Sequence, residues 1–497
     1  MGRLASALAL ALCVGALVGC GEEQAAGPLD EALGYLPAEA PFAVAMDTDL
    51  SGDQYRALNR IAEKLPFGDQ AKDALRESLE DEEGVDFERD IRPLLGNPFV
   101  VGGVDPRNVG KDDTEFVAAI QVADRQKLDS LLDKSGASEV GERAGATIYR
   151  EKDDDTYAVK DDVLVTASSR KLLELALDRR ENGESLGQDE FDRALEGLPA
   201  EALVRVYADV QGMIDAHPGS RPAQKVKWVD GLRTLGATGV ASDDQLEVEF
   251  RLRTEGVSES DAPIATGEES PGVIPRPGEV AVGIRDLARI VEFGEAAARA
   301  VNPDDFGDYE AGKEQISTLL GVDIDEDVIA QLHGDTAVTA GPDGSLSVLA
   351  ELEEPARFER ALERIAGVIT GIGGSLGAGD LGLRKPRPGR DLYRLTDSDG
   401  RNYFFGVVDE VFVLARSADA ARRLASAQPE EVPGARGSIV SSSDSSDLAS
   451  SALPKLPRRF GLGDDVFRRL TEPFGDSTGW LLASADELRG RTTVEIE

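Results

Sequence analysis

Two glycine-rich patterns overlap in the second half of the chain, and both are associated with chemistry. Gly373-Gly374-Ser375-Leu376-Gly377 matches G-x-S-x-G, the turn that presents a nucleophilic serine, and Gly377-Ala378-Gly379-Asp380-Leu381-Gly382 matches G-x-G-x-x-G, the turn that cradles a pyrophosphate. A nucleophile elbow needs a strand before the serine and a helix after it. Here a predicted helix precedes and a Gly/Pro-rich stretch follows. The phosphate turn needs a strand leading in and a helix N-terminus facing the anion. No strand leads in, and Arg384-Lys385-Pro386 blocks that helix, so both patterns read as flexible loop.

Histidine is scarce. His217 and His333 lie at non-equivalent places, which argues against a histidine zinc site or a serine triad. Surface or capping roles are expected, with His333 near a helix C-terminus where partial positive charge is favourable. Asp323, Asp325 and Asp327 have the alternate spacing of a calcium loop but lack its glycine at the sixth position and glutamate at the twelfth. Gly84 and Gly321 read instead as helix ends, with Asp86 and Asp323 capping the next helix. The serine-rich stretch Ser438 to Ser451 reads as a loop or weak helix. A two-carboxylate hydrolase needs one facing pair, and none stands out among 94 acidic residues. No catalytic residue, cofactor or metal site is assigned, and no enzymatic activity is expected.

The cysteines carry a firmer signal. Arg3 is followed by an apolar run from Leu4 to Val18, closed by Leu17-Val18-Gly19-Cys20. This reads as a secretory signal ending in a lipobox, and the run is short of the roughly 20 residues a membrane-spanning helix requires. The motif resembles bacterial lipoprotein signals, which implies removal of residues 1–19 and acylation of Cys20. Two or three acyl chains hold a protein stably where one does not. Cleavage discards Cys13 and lipidation consumes Cys20, so no thiol remains for a disulfide, metal or nucleophile. The expected location is extracytoplasmic, on the outer face of the cell membrane.

Charge narrows the partners. A formal net charge of -40 repels nucleic-acid phosphates. It also keeps the surface solvated.

The elements that would position any site form a unit written twice. Gly84-Val85-Asp86-Phe87-Glu88-Arg89-Asp90-Ile91 returns as Gly321-Val322-Asp323-Ile324-Asp325-Glu326-Asp327-Val328. Each copy is followed by two predicted strands (Asn97 to Val104 and Glu115 to Val122; Asp335 to Ala340 and Leu346 to Leu352). A helix comes next, through Leu128, Leu131 and Leu132 or through Phe358, Leu362, Ile365 and Ile369. A three-strand meander, a second helix and a closing strand pair complete each copy. In Leu246 to Arg253, leucine, valine and phenylalanine alternate with glutamate and arginine, predicting apolar side chains buried and charged ones wet. Short polar turns such as Pro342-Asp343-Gly344 are too brief for parallel crossovers.

The fold class is therefore α+β with internal duplication, each copy a mostly antiparallel sheet packed with helices. Residues 20–30 read as a lipidated tether, 31–253 as the first repeat, the Gly/Pro/Ser/Glu-rich 254–277 as a linker, and 278–497 as the second repeat.

The lipobox, the Leu36-Pro37-Ala38-Glu39-Ala40-Pro41 opening, the strand ending in Asp47-Thr48-Asp49, and Gly84-Val85-Asp86 followed by Leu94-Leu95-Gly96 resemble the domain of unknown function 3352 family of actinobacterial extracytoplasmic proteins. The resemblance implies a cell-envelope lipoprotein and carries over no catalytic residue. A membrane-anchored protein with a non-enzymatic binding or scaffolding role is expected, its partners envelope proteins or a hydrophobic ligand. The alternative is a carrier of lipid or another hydrophobic ligand. An importer's solute-binding subunit, which expects parallel sheets, and a carboxylate hydrolase rank lower.

Overall fold

The computed structural model describes residues 27–65, 85–110, 114–151, 155–276, 279–341, 345–372, 383–384, 392–396, 400–444 and 473–497. Helices and antiparallel strands both contribute heavily, an α+β architecture. The chain divides into two compact units. The first comprises the chain up to Arg221 with Leu232–Arg253 and Glu495–Glu497; the second comprises Pro222–Gly231 and Thr254–Val494.

Unit 1 contains β1 (Phe42–Met46), β2 (Phe99–Gly103), β3 (Phe116–Gln121), β4 (Ser138–Arg143), β5 (Ala146–Arg150), β6 (Thr156–Lys160), β7 (Val163–Ala167), β8 (Val204–Asp209), β9 (Leu232–Ala241) and β10 (Gln245–Thr254). Antiparallel pairs join them in the order β4-β5-β6-β7-β3-β2-β1-β8-β9, and β10 pairs with β9. Ala43 and Ala45 of β1 share a face with Val100, Gly102, Val117 and Ala119, as the register requires. Small side chains there let helices approach closely. Leu29 and Leu33 of helix Pro28–Leu33, Leu173 and Leu177 of Arg170–Asn182, and Phe191 of Gln188–Leu195 pack on that face as one buried cluster. The chain thus enters the core from Leu29 onward. On the opposite face, Leu128, Leu131 and Leu132 of helix Arg125–Ser135 cover Phe99, Ile120 and Val159.

Unit 2 contains β11 (Val280–Arg285), β12 (Asp335–Ala340), β13 (Leu346–Glu351), β14 (Tyr393–Thr396), β15 (Asn402–Val408), β16 (Val411–Ala415), β17 (Ile439–Asp444), β18 (Phe474–Ala483) and, as far as Val494, β19 (Glu487–Ile496). Antiparallel pairs give β14-β15-β16-β13-β12-β11-β17-β18. That is the order of β5-β6-β7-β3-β2-β1-β8-β9. Helix Ala418–Ala425 buries Ala421 and Leu424 against Leu349, Val413 and Ala415. Phe358 of helix Pro355–Ile372 meets Phe412 edge-on, 5.5 Å between ring centres.

Three observations differ from the sequence reading. Ile439–Asp444 is a strand and not a loop or weak helix: its serines sit between β11 and β18, and Ser443 Oγ lies 2.7 Å from Ser477 Oγ. Cross-strand pairing overrides serine's low strand preference. In β10, Val248 is 54% exposed and Glu249 only 1%, the reverse of the alternation argument. Arg251 and Arg253 of the charged face donate to the Glu196 and Arg193 carbonyls. These cap the C-terminal end of helix Gln188–Leu195, where cations oppose the helix dipole. Finally, Ala262, Ile264, Val273 and Ile274 are buried within unit 2, and Val273 bridges to Glu430, so apolar anchors pin down the stretch read as a linker.

Candidate functional site

Cys20 and residues 373–382, which hold both glycine-rich patterns, lie outside the described residues. The histidines serve as caps. His217 follows helix Val210–Ala216, with Nδ1 2.8 Å from the Met213 carbonyl. His333 ends the turn Ile329–Leu332, with Nδ1 2.8 Å from Asp286 Oδ1. Among the described residues, no three His, Cys, Asp or Glu side chains are grouped to hold a metal.

The acidic repeat is structural. Asp323 accepts the Asp325 and Glu326 amides at 3.0 and 3.1 Å and donates its own amide to Asp327 at 3.0 Å. Asp86 accepts from Arg89 at 2.8 Å and donates to Asp90 at 3.0 Å. Each fourth-position aspartate then pairs with a cation on the following long helix, Asp90 with Lys134 and Asp327 with Arg357. Gly321 takes a left-handed conformation at φ +64 to end the preceding helix, as its sequence position predicts.

An apolar groove lies elsewhere in unit 2, on the helices Leu287–Val301 and Pro303–Leu320. Asp286 starts the first by accepting the Arg289 amide at 2.9 Å. Pro303 starts the second at a position where its missing N–H costs nothing. Polar contacts clasp the pair. Glu295 accepts from Tyr309 at 2.8 Å and Lys313 at 2.9 Å, and Arg299 pairs with Glu310 at 2.6 Å while lying 4.7 Å over the Phe306 ring. Burial pulls the Glu295 carboxyl upward, but the Lys313 and Tyr309 bonds outweigh it and hold the group below its ordinary value.

Between the helices runs a groove of about 420 Å³ lined by Val291, Gly294, Ala298, Val301, Phe306 and Tyr309, with Glu295, Asn302 and Asp305 also at its edge. This volume lies within the size range of small-molecule sites. Val301 and Tyr309 are 41% and 48% exposed, and farther along Ile316 and Leu319 are 51% and 54% exposed. Trp228 stands edge-on to Phe293 on the first groove helix, 6.4 Å between ring centres. The sequence reading missed this site. Its signal was the spacing of Val291, Gly294, Ala298 and Val301, which places them on one helical face. Among the described residues, no helix is long and apolar enough to cross a membrane.

The architecture defines an α+β chain of two compact units. The chain belongs to the family described as "Protein of unknown function (DUF3352)", whose family model matches residues 4–364. No curated protein matches it. Solved structures with detectable similarity include crystal forms III, IV and I of TP0453, at 12%, 11% and 13% identity. They cover 46%, 45% and 46% of this chain and 81%, 80% and 80% of theirs, at TM-scores of 0.26, 0.26 and 0.25. Likeness at that level carries no inference about fold or function.

Proposed function

We propose that this protein is an actinobacterial cell-envelope lipoprotein, anchored through Cys20 to the outer face of the membrane, with a non-enzymatic binding role. The observation that carries the binding role is the apolar groove between helices Leu287–Val301 and Pro303–Leu320. Exposed apolar surface gathered into a concavity and rimmed by polar groups marks a site of interaction. Its volume suits a small apolar ligand such as part of an acyl chain, which supports the carrier reading. Scaffolding of an envelope protein is a second reading, supported by Ile316 and Leu319, exposed on the second groove helix and outside the groove lining. The antiparallel pairing weighs against an importer's solute-binding subunit. We also infer that the two units are copies of one ancestral unit, since eight strands in each pair in the same order.

Titration with a fluorescent fatty acid tests the groove. Saturable binding is expected, with a change in Trp228 emission through the Phe293 contact. Ala298→Glu, at an exposed helical position, should weaken binding at least tenfold and leave the melting temperature unchanged. Binding that is unsaturable, or equally tight in Ala298→Glu, contradicts the assignment.

A further inference from the structure

The helix pair Leu287–Val301 and Pro303–Leu320 buries few side chains: Ala288 in the first helix and Phe306 in the second. Helix Arg170–Asn182, shorter than either, buries Leu172, Leu173, Ala176 and Leu177. Helices in folded proteins gain most of their stability by packing an apolar face. The second helix of the pair has such a face turned to solvent. Tyr309, Gly312, Ile316 and Leu319 recur at the three- and four-residue spacing of a coiled-coil seam, which sets them on one stripe about 15 Å long. Tyr309, Ile316 and Leu319 are all exposed, and the last two lie beyond the groove lining.

Gly312 gives the stripe its shape. Glycine inside a helix is less stable than alanine, and a Cβ added at Gly312 would meet nothing within 4 Å. No close contact among the described residues accounts for it. Between Tyr309 and Ile316 it leaves a notch of the kind in which side chains of a facing helix seat. The charge beside the stripe is one-sided. Residues 287–320 hold seven acidic side chains against three basic ones, and the basic ones are committed. Arg289 donates to the Ala262 carbonyl at 3.0 Å, Arg299 pairs with Glu310, and Lys313 pairs with Glu295 and Asp325. Asp305 precedes Tyr309 by four residues and Asp308 precedes Gly312 by four, so each borders the stripe one turn away. These two carboxylates, with Asp304 and Glu314, are exposed and have no cation partner among the described residues.

We propose that the stripe Tyr309–Gly312–Ile316–Leu319 docks a basic amphipathic helix of a partner protein, apolar on the face that meets the stripe and carrying Lys or Arg beside it. An amphipathic helix laid along an apolar seam is a recurrent mode of recognition, and the unpaired carboxylates select for cationic flanks. The same carboxylates disfavour a second copy of this helix pair, which would bring like charges together, and an anionic bilayer. This inference names the partner for the protein-binding reading of the helix pair and rests on that reading, not on the groove holding an acyl chain.

The test is fluorescence anisotropy with the soluble chain beginning at Gly21 and two labelled synthetic helices of three heptads. Both carry Leu at the a and d positions; one has Lys at e and g, the other Glu. Saturable binding of the Lys helix is expected, at least tenfold tighter than that of the Glu helix. The double variant Ile316→Gln with Leu319→Gln keeps the charge and should weaken binding at least tenfold at an unchanged melting temperature. Gly312→Leu adds apolar surface and removes a helix-interior glycine, so it should raise the melting temperature yet weaken binding by filling the notch. Non-specific attraction of a cation to an acidic chain would survive both changes, and a merely sticky face would bind more tightly in Gly312→Leu; either result overturns the proposal. So does absence of saturable binding, or a stripe-dependent dimer or phosphatidylcholine-vesicle association without peptide binding. The double variant should still bind the fluorescent fatty acid as the wild type does, so failure of the groove reading and failure of this one give different results.

Discussion

At the scale of single residues, the repeated aspartates illustrate how a metal-like spacing becomes a helix cap. Asp90 has a side chain only 5% exposed and is tied to Arg89 and Lys134. The Arg89 hydrogen bond, helped by Lys134 and the Asp86 amide, holds its carboxyl well below the usual carboxylate range. A folded-state pKa below the unfolded value of about 4 contributes stability that is complete above that value and is lost as pH falls below it. Asp90→Ala should therefore cost about 2–3 kcal/mol at pH 7 in urea unfolding. That is less than the cost of breaking a fully buried pair, because its partners return to water. The difference between wild type and variant should shrink between about pH 5 and pH 2. Equal stability at pH 7 would contradict this role. Asp327→Ala, at a side chain 22% exposed, should cost less, about 1 kcal/mol. The capping acids Asp86 and Asp323 were legible because each stands two residues after a glycine that reads as a helix end; their reciprocal partners Asp90 and Asp327 emerged only from the structure. Lys134 and Arg357 were not legible, because tertiary packing alone brings them to the caps.

At the scale of elements, most strands and the two sheet-covering helices were legible from their periodicity. The strands that close each sheet around its first strand were not. β8 mixes charge with apolar residues and β17 is serine-rich, so neither announces itself locally, yet each pairs with β1 or β11 in the middle of its sheet. β10 shows the other limit of local reading: the period was right but the buried face was wrong, because alternation does not say which face a neighbouring helix will cover. Close approach of helix to sheet is tested at Gly236, whose position in β9 lies against the Ala194 carbonyl so that an added Cβ collides with it. Gly236→Ala should cost about 2–3 kcal/mol, since fixed backbone leaves the methyl no room. Gly183→Ala, at φ +71 with open space around it, should cost about 1 kcal/mol, the conformational penalty alone. Similar losses for the two in thermal unfolding would show that the helix can shift away from β9.

At the scale of the whole molecule, the sequence carried a proposed address in its first residues, while the candidate groove emerged only from the fold. The proposed lipidation at Cys20 rests on local spacing, and Cys20→Ala is expected to release the protein from the membrane fraction into the soluble fraction of a lipoprotein-processing bacterium. Retention of that variant on membranes would remove the anchor from the proposal. The groove could not be derived in the same way, because its walls come from two helices whose side chains face one another only after folding. The most direct test of the binding role is native mass spectrometry of the soluble chain beginning at Gly21, purified from a bacterial host, before and after solvent extraction. The expected result is a co-purified apolar mass that extraction removes and that Ala298→Glu fails to retain; a bare chain mass in both proteins, or an adduct unchanged by the substitution, would contradict it.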